Sequence, residues 1–214
     1  MTKTSFIEKV LDILNESDAS ILGAELVGSD NTNVSSYIEK LFPAAWRRAV
    51  KLFPRSWFIT KSFSDQPKEV DAPDGTGYVL LPTDFLSLSS FKMKGWKQNC
   101  LTAFEETPAI NKKQSNEYLR GTVQRPVCVF RYISYQNTLR QALYYYSLPR
   151  TADATTHIVE TALYIPNVTE MGANIEINYQ GIEPLAYLCA ATVLSSFEKD
   201  SAAKVLESKI LEMM

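Results

Sequence analysis

Few side chains in this sequence of 214 residues could do chemistry, and their spacing limits what that chemistry could be. His157 is the only histidine, so any Ser-His-Asp or Cys-His mechanism would have to run through it. It opens an apparent strand, HIVETALYI, and no G-x-S-x-G elbow or active-site cysteine signature accompanies it. A strand-edge or interface role is therefore expected for it. Asp84 lies in LPTDFLSL with no histidine nearby in sequence and no second carboxylate at a diagnostic spacing. Pro82 cannot donate to a sheet ladder, and the Asp84 carboxylate is a strong acceptor for local donors. Pro82, Asp84 and Phe85 are accordingly read as a structural strand exit. Asp71 and Asp74 in DAPDGTG lack the alternating ligands and closing glutamate of a calcium loop, so a turn around Gly75 and Gly77 is expected.

Cys100, Cys128 and Cys189 are far apart and odd in number, which suits neither a zinc site nor a disulfide framework. Cys128 and Cys189 sit in apolar runs, as small buried hydrophobes do, and a reducing compartment fits. None of the eight glycines falls in G-x-G-x-x-G or G-x-x-x-x-G-K, so a phosphate-cradling loop has no support and no cofactor is expected. Lys92, Lys94 and Lys97 surround Trp96 in FKMKGWKQ, as candidate DNA-facing or edge-protecting residues. The overall charge of -2 favours the edge.

The elements that must position these residues fall into three zones. Residues 1–55 read as helical: Phe6, Val10, Ile13 and Leu14 share a face, and Ser5/Glu8 and Ser36/Glu39 have capping-box spacing. Pro43 is expected to restart the second helix, which continues as AAWRRAVKLF. Residues 56–180 read as β, in segments such as SWFITKSF, GYVLLP, RPVCVFRYIS, ALYYYSLP and ANIEINYQG, with a polar loop or projecting arm at about 104–121. From Gly181 a helical pair is expected, with Pro184 in its first turn and Leu206, Ile210 and Met213 on one face of the second helix. The fold class is thus α+β: N-terminal helices, a central antiparallel sheet or small sandwich, and C-terminal helices. Trp46, Arg47, Arg48, Trp57, Leu206, Ile210 and Met213 are candidate interface residues.

No apolar run is long enough to span a bilayer, and the first residues lack the pattern of a signal peptide, so no membrane partner is expected. A slightly acidic chain is not a dedicated nucleic-acid binder, although it could surround DNA without gripping it.

In order, the segments resemble the head-to-tail adaptor, or tail tubular, proteins of tailed bacteriophages. The features are the helical start, Trp57-Phe58 after a helix, YVLLPTDFL, the R-P-V strand at Arg125–Val127, the Tyr-rich strand ending in Leu-Pro, and EPLAYLCAA before a last helix. They are closest in character to ring proteins of crAss-like short-tailed phages. SLPRTAD departs from the Pro-x-Pro that more often follows the aromatic strand in that family. The resemblance implies a non-enzymatic virion protein at the head–tail interface, made in the host bacterial cytoplasm. Its partners would be copies of itself in a ring of twelve, the portal protein, the next tail or ring protein, and DNA passing through without specific binding. The alternative is a β-sandwich module binding carbohydrate or peptide, with Tyr144, Tyr145 and Tyr146 as its platform. Consecutive strand residues alternate faces, so at most two of the three can share it.

Overall fold

The computed structural model describes residues 1–17, 31–71, 75–149 and 157–214. The fold is α+β, and the chain divides into two compact units: a helical one from Met1–Ile59 and Asn167–Met214, and a β unit from Thr60–Pro166.

The helical unit holds α1 (Lys3–Ser17), α2 (Asn31–Leu52), a 3-10 turn (Arg55–Trp57), α4 (Tyr179–Ser196) and α5 (Asp200–Met213). Phe6, Val10, Ile13 and Leu14 of α1 are buried, as their spacing predicts. The helix begins earlier than the Ser5/Glu8 pair suggests, and the Thr2 hydroxyl accepts from the Ser5 amide at 3.3 Å. Pro43 does not restart a helix: α2 runs through it without a break in assignment. The loss is one intrahelical hydrogen bond, and the buried row Val34, Ile38, Phe42, Trp46 and Ala49 offsets it. Rings line this core, with Trp46 edge-on to Phe58 and Phe6 edge-on to Phe42. Leu185, Leu188, Cys189 and Ala191 make α4 apolar on several sides, because α1, α2 and α5 all pack on it.

ANIEINYQG is not a strand. Only two isolated bridges form there, Thr2 with Asn174 and Phe58 with Ile177, and α4 opens at Tyr179 under an Asn178 cap. Ile175 and Ile177 are buried as their alternation predicts, but as part of the helical unit. Pro184 consequently lies inside α4, beyond its first turn.

The β unit holds β1 (Lys61–Ser62), β2 (Lys68–Asp71), β3 (Thr76–Leu80), β4 (Phe85–Met93), β5 (Phe104–Glu105), α3 (Pro108–Ser115), β6 (Cys128–Tyr135), β7 (Thr138–Tyr145) and β8 (Val159–Pro166). A three-stranded sheet runs β1-β8-β4 and a five-stranded sheet runs β2-β3-β7-β6-β5, with only β5–β6 parallel. Phe63, Leu88, Phe91, Met93, Ala162 and Tyr164 on the first sheet's side share one core with Val79, Cys128, Leu143 and Tyr145 of the second. This is a small sandwich. Where a loop or arm over 104–121 is expected, β5 and α3 form instead. Thr107 caps α3 by accepting from the Ile110 amide at 3.2 Å, Pro108 takes its first turn, and the buried Gln114 side-chain Oε1 accepts from the Gly121 amide.

Candidate functional site

Asp84 stands where the chain leaves the larger sheet after β3 and enters the smaller at β4. The Phe85 amide donates to the Pro82 carbonyl at 3.1 Å, closing the turn. The Asp84 carboxylate accepts from the Tyr164 hydroxyl (2.8 Å, β8) and from the Lys61 ammonium (3.2 Å, β1). Partial burial opposes its ionisation, but these two donors outweigh that and hold the carboxyl below its ordinary value. Tyr164 moves the other way: burial, and then its bond to Asp84, push the phenol up to about 12. Asp84 is therefore a clasp on three elements. With an ammonium on one oxygen and a phenol on the other, it is poorly placed to take up a proton.

His157 is buried, and its Nδ1 lies 2.8 Å from the Tyr145 hydroxyl inside the sandwich. It is neither at a strand edge facing solvent nor at an interface, as its sequence position had suggested, because Tyr145 draws it into the core. Asp71 ends β2 opposite Thr76, Gly75 turns with φ +65°, and Asp74 lies outside the described residues. Among the described residues no group of three or more His, Cys, Asp or Glu side chains could hold a metal ion, and no helix is long and apolar enough to cross a membrane.

The cysteines are free and buried. The Cys100 thiol donates to the Thr102 carbonyl at 3.0 Å; its interaction with Cys128 holds the Cys100 thiol below its ordinary value, while burial raises that of Cys128 well above. Burial alone pushes Cys189 up to about 12. The tyrosine triplet does not make an open platform. Tyr145 is wholly buried, Tyr146 nearly so, and Tyr144 packs on Tyr78 beneath the Arg131 guanidinium, 4.7 Å from its ring centroid.

Among the lysines, Lys92 pairs with Glu160 of β8 at 2.8 Å, and β4 is an edge of the smaller sheet. Lys94 and Lys97 are exposed beyond the strand end, whereas Trp96 between them is buried. The aromatic that a nucleic-acid-stacking hairpin would need is thus absent from this surface.

The candidate interface residues divide between core and surface. Trp46, Leu206 and Ile210 are core residues of the helical unit and cannot reach a partner. Arg48 ties α2 to Glu207 of α5 and to Thr192 of α4. Arg47 and Met213 are exposed, and Trp57 is buried on the wall of a groove. That groove, of about 850 Å³, is built entirely from the helical unit, and Ile182, Pro184 and Met213 line it with Trp57. Tyr179, also on its lining, is 90% exposed.

The most distinctive surface is one the sequence reading did not single out. β6 and β7 pair from Cys128–Tyr145 to Tyr135–Thr138. β3 reaches only Ala142 to Tyr145 of β7, and β5 reaches only Val129 and Phe130 of β6. The Leu81 amide still donates to the Gln141 carbonyl, and beyond it residues 132–140 continue as a two-stranded ribbon about 14 Å long. On its core-side face the row Cys128, Phe130, Tyr132 pairs with Tyr145, Leu143, Gln141, and Leu139 follows Gln141 on that face. Cys128, Leu143 and Tyr145 are wholly buried, while Tyr132 and Leu139, diagonal neighbours, are 67% and 69% exposed. Gln136 and Asn137 form the two-residue turn, both with positive φ. The pattern Y-Q-N-T between two alternating runs was the available signal, weakened because Gln is not a usual left-handed residue.

No family model matches the chain, and no curated protein matches it.

Proposed function

We propose that this chain is a structural virion subunit of a homo-oligomeric ring that joins the portal to the tail of a bacteriophage and extends the DNA channel. One observation carries the reading beyond the resemblance: the β6–β7 ribbon extends past its own sheet and presents Tyr132 and Leu139 to solvent on the face that is core elsewhere. An isolated two-stranded ribbon is marginal in water, and an apolar pair at its far end gains free energy only by being covered. Subunits of a ring carry such features because closure needs two different, complementary patches on each copy. The side chains that could have served catalysis are engaged in holding the fold: Asp84 with Lys61 and Tyr164, and His157 with Tyr145. The partners that follow from the reading are further copies of the chain, a portal protein above, the next tail or ring protein below, and DNA that slides through unheld. A near-neutral subunit suits that passage.

The test is the mass of the purified protein in solution, alone and with a portal-type ring assembly. The expected outcome is a closed ring, or a monomer that enters a ring only on that template. A monomer that ignores every such assembly rejects the reading.

A further inference from the structure

The β unit holds two of the three cysteines, and one is bonded to each sheet of the sandwich. Cys100 is tied to the edge strand β4 by two backbone hydrogen bonds with Phe91, at 2.8 and 2.9 Å. Cys128 opens β6 in the five-stranded sheet, opposite Tyr145. After Cys100 the chain passes to that second sheet. There β5 runs parallel to β6 with Phe104 against Val129, and the same register one residue earlier sets Ala103 beside Cys128. Neighbouring strands lie about 5 Å apart. The Cys100 thiol is turned towards this place, since it donates to the Thr102 carbonyl at 3.0 Å. Both cysteines lie in one apolar cluster with Phe91, Trp96 and Tyr145. The Cys128 side chain and backbone together hold the Cys100 thiol below its ordinary value, so the two groups also interact directly.

We propose that Cys100 and Cys128 are a redox pair, a dithiol under reducing conditions that hydrogen peroxide closes to a disulfide between the two sheets. The Cys100 sulfur, as thiolate, attacks one peroxide oxygen and the O–O bond breaks. A sulfenic acid forms on Cys100, and the hydroxide that leaves takes up the Cys100 proton as water. The Cys128 sulfur then displaces the sulfenic oxygen, the S–S bond forms, and that oxygen leaves as a second water carrying the Cys128 proton. The two thiols lose two electrons and the peroxide gains them. Cys100 is the attacking sulfur because it keeps 7% exposure, whereas Cys128 has none. The bond closes a loop over residues 101–127, which carries β5 and α3, and so constrains the unfolded chain more than the folded one. The pair is a property of the β unit and does not depend on the ring reading.

The test treats the folded full chain with hydrogen peroxide, denatures it, caps the remaining thiols with an alkylating agent and reads masses without reductant. The expected product is a single chain lighter by two hydrogen atoms before capping. It carries a cap only on Cys189, which is buried and is the one cysteine of the helical unit. Proteolysis is expected to release the Cys100 and Cys128 peptides as one linked species that a dithiol reductant separates. The thermal midpoint of the oxidised chain is expected to rise by about 5 °C or more and to return on reduction. Cys100→Ala removes one thiol without placing a polar group in the core, and in this variant peroxide is expected to form no link and leave the midpoint unmoved. Three capped cysteines after oxidation overturn the proposal. So does a link between copies or to Cys189, and so does a Cys100 sulfinic acid beside a capped Cys128.

Discussion

At the scale of single residues, Asp84 shows how a carboxylate that could be read as catalytic is accounted for by its neighbours. Its folded-state acidity is enhanced, so on acidification the unfolded chain takes up this proton before the folded one does. The stabilisation is fully present above the ordinary carboxyl value of 3.8 and is lost as pH falls through the lower folded value. The Asp84 side chain is 38% exposed and solvent screens its pair with Lys61, so the effect is modest, about 0.5–1 kcal/mol. Asp84→Asn keeps an acceptor for Tyr164 and removes the charge. It is expected to cost that amount at pH 7 in denaturant unfolding, with the gap to the unsubstituted protein closing below about pH 4. A constant gap down to pH 2 would show that the charge is not what the clasp uses. On the alkaline side the sign reverses for Tyr164, whose raised value contributes stability that is lost as pH rises through about 12. Asp84's position at a strand exit was legible, since Pro82 before it stops the ladder. Its partners were not, because Lys61 and Tyr164 are 23 and 80 residues away in sequence.

Elements were legible where local pattern and tertiary partner agree. The period of α1 and the β-branched and aromatic runs of β3 and β8 bury the face they advertise, whereas β6 and β7 do so only near Cys128 and Tyr145 and leave Tyr132 and Leu139 exposed. They were misread where the partner decides. Ile175 and Ile177 alternate like a strand, yet they are buried as part of the helical unit with only isolated bridges to pair with. Pro43 reads as a break, but an apolar row on both sides of it holds α2 continuous. The ribbon turn was illegible for a different reason: Gln136 at φ +49° and Asn137 at φ +60° occupy a type I′ turn that favours Asn-Gly. A side chain in the left-handed region costs roughly 1 kcal/mol, less for Asn than for Gln. Changing Gln136→Asn together with Asn137→Gly is expected to stabilise the β unit by about 1 kcal/mol and raise its thermal midpoint by roughly 4–8 °C. An unchanged or lower midpoint would mean that the turn carries no such strain, or that Gln136 holds a contact worth as much.

At the scale of the whole molecule, the three consecutive zones of the sequence become two units, because the chain returns. Residues after Pro166 rejoin the helices that precede Thr60, so the last two helices share a core with the first two. No local signal marks that return; it follows from which apolar faces find each other. The β unit therefore has the form of an insertion, and its two ends are tied together: Lys61 pairs with Tyr164 across β1 and β8. Directly opposed residues in an antiparallel ladder have Cα atoms about 5 Å apart, so entry and exit lie side by side. Each unit also has its own buried core, aromatic in both cases. Two fragments test whether the division is energetic as well as geometric. Residues 60–166 alone are expected to unfold cooperatively with a β-type circular dichroism spectrum. The chain with 60–166 replaced by a short Gly/Ser linker is expected to keep a helical spectrum and its own cooperative transition, because closing a gap of that width adds little loop entropy. If either piece lacks a transition while the full chain has one, the two cores are stabilised jointly, and the insertion describes the path of the chain without describing how it folds.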